Sequence, residues 1–261
     1  MKLDLTFSAT QFDELQLRER NVVVIDVLRS STTVAVALQN GAREIIPVAS
    51  IESAVKISGS LFGEVTLRGG ERNGKMIEGF NLGNSPREYN EATVRGKSII
   101  YCTTNGSVAM ARSRYARRLV VGSFVNLSTV VNFLREEKND VLFICAGRAN
   151  GLGGFSLEDS VCAGMMIQQL MKLDAKDVEL TDSSKAALAL FKSFGKSVLK
   201  MLKETDHGRF LGEIGFGEDL KICAAVDSVQ VLPTQVGTVI KLRKDDVRQG
   251  PESNTAIKEK T

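Results

Sequence analysis

The strongest hydrophobic pattern in the chain is Val22-Val23-Val24-Ile25, four β-branched apolar residues in a row, closed by the carboxylate of Asp26. An unbroken apolar run of this kind reads as a strand buried on both faces. Arg29 and a cluster of four hydroxyls, Ser30, Ser31, Thr32 and Thr33, follow directly, and the spacing of Val34, Ala37 and Leu38 starts a helix. A carboxylate therefore stands at the carboxyl end of a buried strand, opposite a hydroxyl-rich helix N-terminus. In open α/β sheets that crevice is where ligands bind, and the unpaired N–H groups of a helix start suit phosphate.

The same alternation recurs along the chain. Residues 3–7 alternate as a short strand, and the apolar runs at 45–48, 64–67, 97–102, 118–121 and 141–145 read as further strands. Between them, helices are expected over 51–58, about 106–114, 126–137 and 156–171. This order predicts a three-layer α/β/α protein with a mainly parallel sheet. The last third departs from it. A long amphipathic helix is expected over 183–202, short helices near 209–211 and 218–225, and two closing strands at 229–232 and 236–242 around Pro233 and Gly237. The expected organisation is one domain over 1–244, its helical and β-hairpin part at 175–244 being the place for a subdomain, followed by a loose charged tail at 245–261.

Composition narrows the function. At 261 residues the chain can bury a sizeable core, and its 43% hydrophobic content is that of a globular protein. A net charge of +3, with dispersed Lys and Arg and no interleaved aromatics, argues against nucleic acid. The basic run Arg112 to Arg118 reads as a solvated helix C-terminus, where cations are favoured. No apolar run reaches membrane-spanning length and the N-terminus lacks a signal-peptide core, so neither membrane nor export is expected. The four cysteines, Cys102, Cys145, Cys162 and Cys223, form no C-x-x-C pair and fall in apolar segments, as reduced cytoplasmic thiols would. A single histidine, His207, weighs against a His-rich metal site.

Polar residues concentrate at five places. The first is 26–33, where helix capping explains one hydroxyl but not four together with Asp26 and Arg29. The second is Glu71-Arg72, in a stretch from 68 to 85 that carries no periodicity and is long for a structureless loop in a compact domain. The third is 79–88, where Ser85, Pro86 and Glu88 make a capping box while Asn81 and Asn84 lie outside that account. The fourth is Thr103-Thr104-Asn105-Gly106, a strand-to-helix turn whose Gly106 admits close backbone approach to a ligand. The fifth runs from Cys145 to Glu158 and Asp159, acids in a helix's first turn, where a cap and a site read equally well.

In a parallel sheet the first, fourth and fifth clusters open on one edge, so Asp26, Glu158 and Asp159 can converge with hydroxyls, amides and Arg29. Carboxylates with few histidines suit a hard cation such as Mg²⁺. Phosphate-monoester hydrolysis calls for enhancements up to roughly 10²¹, about 29 kcal/mol at about 1.36 per decade. A helix dipole gives at most about 2 kcal/mol and one preorganised donor about 3–4, so a metal with several donors is the minimum equipment. Two other readings stay open at this level: a non-catalytic phosphometabolite- or nucleotide-binding protein, and a structural α/β domain whose polar turns are all caps.

Taken in order, Asp26-Val-Leu-Arg29-Ser-Ser-Thr-Thr33, Gly70-Glu71-Arg72, Gly79-Phe80-Asn81-x-Gly83-Asn84-Ser85-Pro86, Thr103-Thr104-Asn105-Gly106 and Cys145-Ala146-Gly147 with Phe155-Ser156-Leu157-Glu158-Asp159 resemble the 2-phosphosulfolactate phosphatase family. Gly208-Arg209-x-Leu211, Asp219, Cys223 and Pro233 also fit, and the resemblance covers 22–233. It implies a Mg²⁺-dependent phosphatase that hydrolyses (2R)-2-phospho-3-sulfolactate in coenzyme M biosynthesis, or a phosphatase of a related phosphoester. The expected roles are Asp26, Arg29 and Asp159 in catalysis, and Asp26, Glu158 and Asp159 around the metal. Ser30, Ser31, Thr32, Glu71, Arg72, Asn81, Asn84, Ser85, Thr103, Thr104, Asn105 and Gly106 are expected to bind substrate. The expected partner is a small anionic phosphoester; a homodimer is left open. Leu28 stands where haloacid-dehalogenase phosphatases carry a second Asp, and Cys145 lacks the Arg-rich loop of cysteine phosphatases. Attack by Asp26 or by metal-bound water both stay open.

Overall fold

The computed structural model describes residues 1–10, 12–60, 66–148, 154–173 and 178–242. The expected strand start at 64, the glycine-rich residues 149–153 and the charged tail at 245–261 lie outside them. In chain order the elements are β1 (Lys2–Thr6), β2 (Asn21–Ile25), α1 (Ser30–Gln39), β3 (Glu44–Pro47), α2 (Ile51–Ser60), β4 (Thr66–Arg72), β5 (Lys75–Met76), α3 (Glu91–Val94), β6 (Ser98–Cys102) and α4 (Gly106–Arg112). There follow β7 (Arg118–Gly122), α5 (Leu127–Glu137), β8 (Val141–Cys145), α6 (Leu157–Leu173), β9 (Glu179–Leu180), α7 (Asp182–Phe194), α8 (Val198–Glu204), α9 (Asp206–Glu213), α10 (Asp219–Cys223), β10 (Pro233–Val236) and β11 (Val239–Leu242).

The apolar runs become strands because both of their faces are covered. Val23 and Ile25 of β2 pack with Phe143 of β8 against Val131 and Leu134 of α5 and Met166 and Ile167 of α6. Val22 and Val24 point the other way, into a cluster with Leu142, Ile144, Val34 and Leu38 of α1, and Met110 of α4. The period-2 alternation of the strand thus feeds two helix layers, and the three-layer α/β/α arrangement follows.

The strands lie in the order β5-β4-β6-β3-β11-β10-β7-β2-β8-β1-β9. Two parallel blocks, β4-β6-β3 and β7-β2-β8-β1-β9, flank the C-terminal hairpin β10-β11. The hairpin is antiparallel to both neighbours and meets each at one residue pair, Ile240 with Ile45 and Thr234 with Val120. No helix among the described residues is long and apolar enough to cross a membrane, and all four cysteines are buried free thiols.

Three sequence expectations are corrected. The helix expected over 183–202 is two helices: the Gly195 N–H closes α7 on the Phe191 carbonyl, and α8 begins at Val198. The strand expected at 229–232 starts at Pro233 instead. The Val229 amide donates to the Val125 carbonyl and the Val231 carbonyl accepts from Asn126, so this segment bonds to the turn before α5 rather than to a strand. Pro233, lacking an N–H, then opens β10 at its first position. Finally, the stretch from 68 to 85 is ordered in its first part. β4 runs through Arg72 and folds back into β5 through Asn73-Gly74, with φ of 53° and 74°. Positive φ at both central residues is what a two-residue type I′ hairpin requires.

Candidate active site

Asp26 is the first residue beyond β2, and the hydroxyl cluster holds it in place. Its N–H donates to Ser31 Oγ (2.9 Å), Ser31 Oγ donates to the Val24 carbonyl (3.2 Å), and the Ser31 N–H donates to the Asp26 carbonyl (2.8 Å). Thr32 Oγ1 donates to the Val27 carbonyl (3.0 Å) and lies 2.7 Å from Ser123 Oγ, while Thr33 Oγ1 donates to the Asn84 carbonyl (2.9 Å). Ser31 and Thr32 therefore weld strand end to helix start, and Thr33 ties the helix to the segment at Asn84. Ser30 stays at the cavity wall, donating to Thr103 Oγ1 at 3.1 Å.

The opposite wall comes from the β4-β6 block. Glu71 accepts the Gly74 N–H (2.9 Å) and the Thr104 N–H (2.8 Å), tying the Asn-Gly hairpin to the turn after β6. Thr103 and Ser107 cap one another's amides at the start of α4. Gly106 lies against Asp26: a Cβ there would sit 2.5 Å from Asp26 Oδ2 and 2.6 Å from Ser30 Oγ. This close approach, which only glycine permits, joins the two sheet blocks at the site.

Between these walls lies a cleft of about 180 Å³, lined by Asp26, Leu28, Arg29, Ser30, Glu71, Asn73, Gly74, Asn84, Thr104, Asn105, Arg148, His207 and Phe210. Of the expected residues, Asp26, Arg29, Ser30, Glu71, Asn84, Thr104 and Asn105 meet here. Gly106 backs onto Asp26, and Ser31, Thr32 and Thr103 act behind the wall through the bonds above. Ser85 donates to Asp219 (2.7 Å) in the interior. Arg72 reaches Cys102 Sγ (3.3 Å), and Asn81 accepts the Arg68 N–H (2.9 Å) at an exposed position; neither lines the cleft.

Asp159 has a defined architectural place. Its Oδ1 accepts the Val27 N–H (2.8 Å) and its Oδ2 lies 3.4 Å from the Gly147 N–H, so it binds the turns after β2 and β8 together. Its neighbour Glu158 is buried with Oε1 3.6 Å from His207 Nδ1. Among the described residues no three His, Cys, Asp or Glu side chains gather at metal-binding spacing. The carboxylates on the cleft wall are Asp26 and Glu71, an oxygen donor set that fits a magnesium ion held by one or two carboxylates and the substrate's phosphate, not a three-carboxylate cage.

Arg29 is locked rather than free. Its guanidinium donates to Asp219 (2.8 Å) and the Gly74 carbonyl (2.7 Å) and lies 4.4 Å over the Phe216 ring. It lends positive potential to the cleft while fixing the hairpin tip. Burial pushes the Asp26 carboxyl up from 3.8 to about 6, against Ser30's hydrogen bond and the charge of His207, which lower it, and with Glu71's charge, which raises it. Burial also holds Asp159 well above the carboxylate range, with Asp26 and Glu158 adding to it.

Asn73, Gly74, Arg148, His207 and Phe210 are cleft residues that the sequence reading does not single out. The Asn-Gly dipeptide, the strongest short-range hairpin signal, was the one cue for the first two.

Comparison with known proteins identifies the family. A family model described as 2-phosphosulpholactate phosphatase matches residues 7–238. A protein of Caldanaerobacter subterraneus subsp. tengcongensis named probable 2-phosphosulfolactate phosphatase is 37% identical over 233 residues, covering 89% of this chain and 95% of that one. Proteins with the same name from Clostridium perfringens (strain SM101) and Thermotoga petrophila are 37% and 39% identical, covering 89% and 86% of this chain and 92% and 93% of theirs.

Proposed function

Because this chain belongs to the 2-phosphosulfolactate phosphatase family, we propose that it hydrolyses (2R)-2-phospho-3-sulfolactate to 3-sulfolactate and phosphate in the cleft around Asp26. In this reading Mg²⁺ is the cofactor and the reaction serves coenzyme M biosynthesis. The observation that carries it is the meeting, in one cleft, of a buried carboxylate, a helix start and an amide-bearing turn from opposite sheet blocks.

The phosphate sits beside Ser30 at the start of α1 and against Thr104 and Asn105, whose hydroxyl and side-chain amide supply donors. Those donors stand preset on rigid elements, so they need no reorganisation as charge grows on the phosphoryl oxygens. A carboxyl titrating at about 6 makes a good base near neutral pH. Asp26 accordingly takes the proton of the attacking water. The water oxygen bonds to phosphorus, the bond from phosphorus to the lactate oxygen breaks, and that oxygen takes up a proton from solvent, to which Asp26 returns the one it took. Glu71 is the cleft carboxylate that would hold Mg²⁺ together with the substrate's phosphate, and the ion would supply charge neutralisation on the phosphoryl oxygens.

The assay is phosphate release from (2R)-2-phospho-3-sulfolactate, with Mg²⁺ and with EDTA. Turnover with Mg²⁺ and a loss of at least about 100-fold in EDTA are expected; no release in either condition contradicts the reading. Gly106→Ala tests the geometry in the same assay. Its Cβ must push Asp26 and Ser30 away from positions 2.5 and 2.6 Å distant, and a displacement near 1 Å costs about 100-fold in rate. Wild-type turnover in this variant would show that the approach of α4 to Asp26 is irrelevant to the reaction.

A further inference from the structure

The proposed substrate carries a phosphate, a carboxylate and a sulfonate, and the donors around Ser30 and Asn105 account for the phosphate alone. The rest of the cleft wall holds three groups able to carry positive charge, Arg29, Arg148 and His207. Arg29 is 1% exposed and saturated by Asp219, the Gly74 carbonyl and the Phe216 face. His207 faces the buried Glu158 carboxylate. Arg148 differs from both. Its guanidinium has a single ion-pair partner among the described residues, Asp206, at 3.8 Å. That carboxylate is 74% exposed and already bonded to Arg209, so it gives Arg148 little.

The backbone of Arg148 is tied to Gly154 by an isolated bridge. Its N–H donates to the Gly154 carbonyl (2.8 Å) and its carbonyl accepts the Gly154 N–H (2.7 Å). The preceding residue, Gly147, approaches the same Asp159 carboxylate that holds the Val27 amide beside Asp26. A weakly engaged guanidinium, registered to the turn beside Asp26 through one shared carboxylate, is placed to receive an anion. The planar fork matches the oxygen spacing of carboxylates and other oxyanions. With Asp26, Glu71 and Glu158 on or beside the cleft, a second substrate anion is repelled everywhere except next to such a cation.

We propose that Arg148 binds the substrate's second oxyanion, carboxylate or sulfonate, and so makes the enzyme prefer phosphoesters that carry one. This rests on the phosphatase reading above and goes beyond it by assigning the residue that sets specificity.

Phosphate release by wild type, Arg148→Ala and Arg148→Lys tests it on four compounds: 2-phospho-3-sulfolactate, 2-phospholactate, 2-(phosphooxy)ethanesulfonate and ethyl phosphate. Arg148→Ala should lower kcat/KM on the first by about 30-fold or more, chiefly through KM, with a loss on ethyl phosphate at least about tenfold smaller. Arg148→Lys, a point charge without the fork, should fall between. The compound on which the loss persists, phospholactate or the ethanesulfonate, identifies the oxyanion. Equal losses on all four compounds, or none on the first, overturn the proposal. Calorimetric binding of 3-sulfolactate reads the clamp without turnover: wild type should bind and Arg148→Ala should bind at least about 30-fold more weakly. Equal binding, or no binding to wild type, also overturns it. If wild type releases no phosphate from any compound yet binds 3-sulfolactate through Arg148, the phosphatase reading fails and the clamp stands.

Discussion

Asp26→Asn is expected to lose phosphate release by about 10²–10⁴-fold and, at the same time, to be more stable than wild type at neutral pH. The two effects share one cause. Burial raises the folded-state carboxyl from 3.8 to about 6, so ionising it in the folded protein costs about 3 kcal/mol, at about 1.36 per decade. The sign follows from linkage: the folded state holds this proton more tightly than the unfolded chain does. Its contribution is therefore fully present below about pH 3.8 and is lost as pH rises through about 6. The amide never ionises and keeps the stability that the carboxylate forfeits. Urea denaturation from pH 4 to 8, in metal-free buffer, should show the two proteins matched at the acid end and separating by about 1–3 kcal/mol by pH 7. A gap that stays constant with pH, or a variant that keeps full activity, contradicts the role given to Asp26.

Asp219→Ala should be the most damaging single change for the fold of the site. Asp219 and Arg29 form an ion pair in which both side chains are 1% exposed. The same carboxylate accepts the Ser85 hydroxyl at 2.7 Å. Truncation leaves a buried guanidinium with no countercharge and orphans the Ser85 hydroxyl. Breaking such a pair from one side costs about 3–5 kcal/mol. Arg29 would also release the Gly74 carbonyl, 2.7 Å from its Nη2, so the hairpin that carries Glu71 and Asn73 loses its anchor. Replacing both partners, Arg29→Met with Asp219→Leu, should recover much of the stability, because no lone charge remains in the interior, while leaving activity impaired. Denaturation midpoints for the single and double variants check this; a loss under about 1 kcal/mol for Asp219→Ala would mean that the pair is solvated.

The parts of the fold readable from sequence were those that local patterning controls. Val22 to Ile25, Ile99 to Cys102 and Val141 to Cys145 announce strands because their side chains go alternately into two apolar clusters, and both faces must then be apolar. The βα order follows, and with it the place of Asp26. What local pattern cannot carry is long-range pairing. Nothing in 229–242 says that the hairpin will enter the middle of the sheet between β3 and β7, because that placement rests on single residue pairs with strands far away in sequence.

The site divides in the same way. Asp26, Ser30, Thr104 and Asn105 are legible because strand-to-helix turns of a parallel sheet open on one edge, and Glu71 because its glycine-rich segment carries an acid. Arg72 and Asn81 come from the same glycine-rich segment, but Arg72 ends the strand β4 and Asn81 lies beyond β5, bonded to the Arg68 N–H. The alternation of β4 sends Glu71 toward Thr104 and Arg72 toward Cys102. Arg29 reads as a catalytic residue until its partner is known, and Asp219 lies 190 residues away. Arg148 and His207 directly adjoin the quoted motifs at 145–147 and 208–211, but nothing local points either side chain at the cleft. They reach the cleft from the loop after β8 and from α9, which only the tertiary packing brings together.

The central claim is that one phosphoryl group sits between the turn after β2 and the turn after β6. A structure of the full chain with Mg²⁺ and orthovanadate tests it most directly. The account predicts vanadate within about 3.2 Å of Ser30 Oγ and of a donor from Thr104 or Asn105, with Asp26 beside the vanadium. Vanadate bound elsewhere on the molecule, with this cleft holding only water, would contradict it.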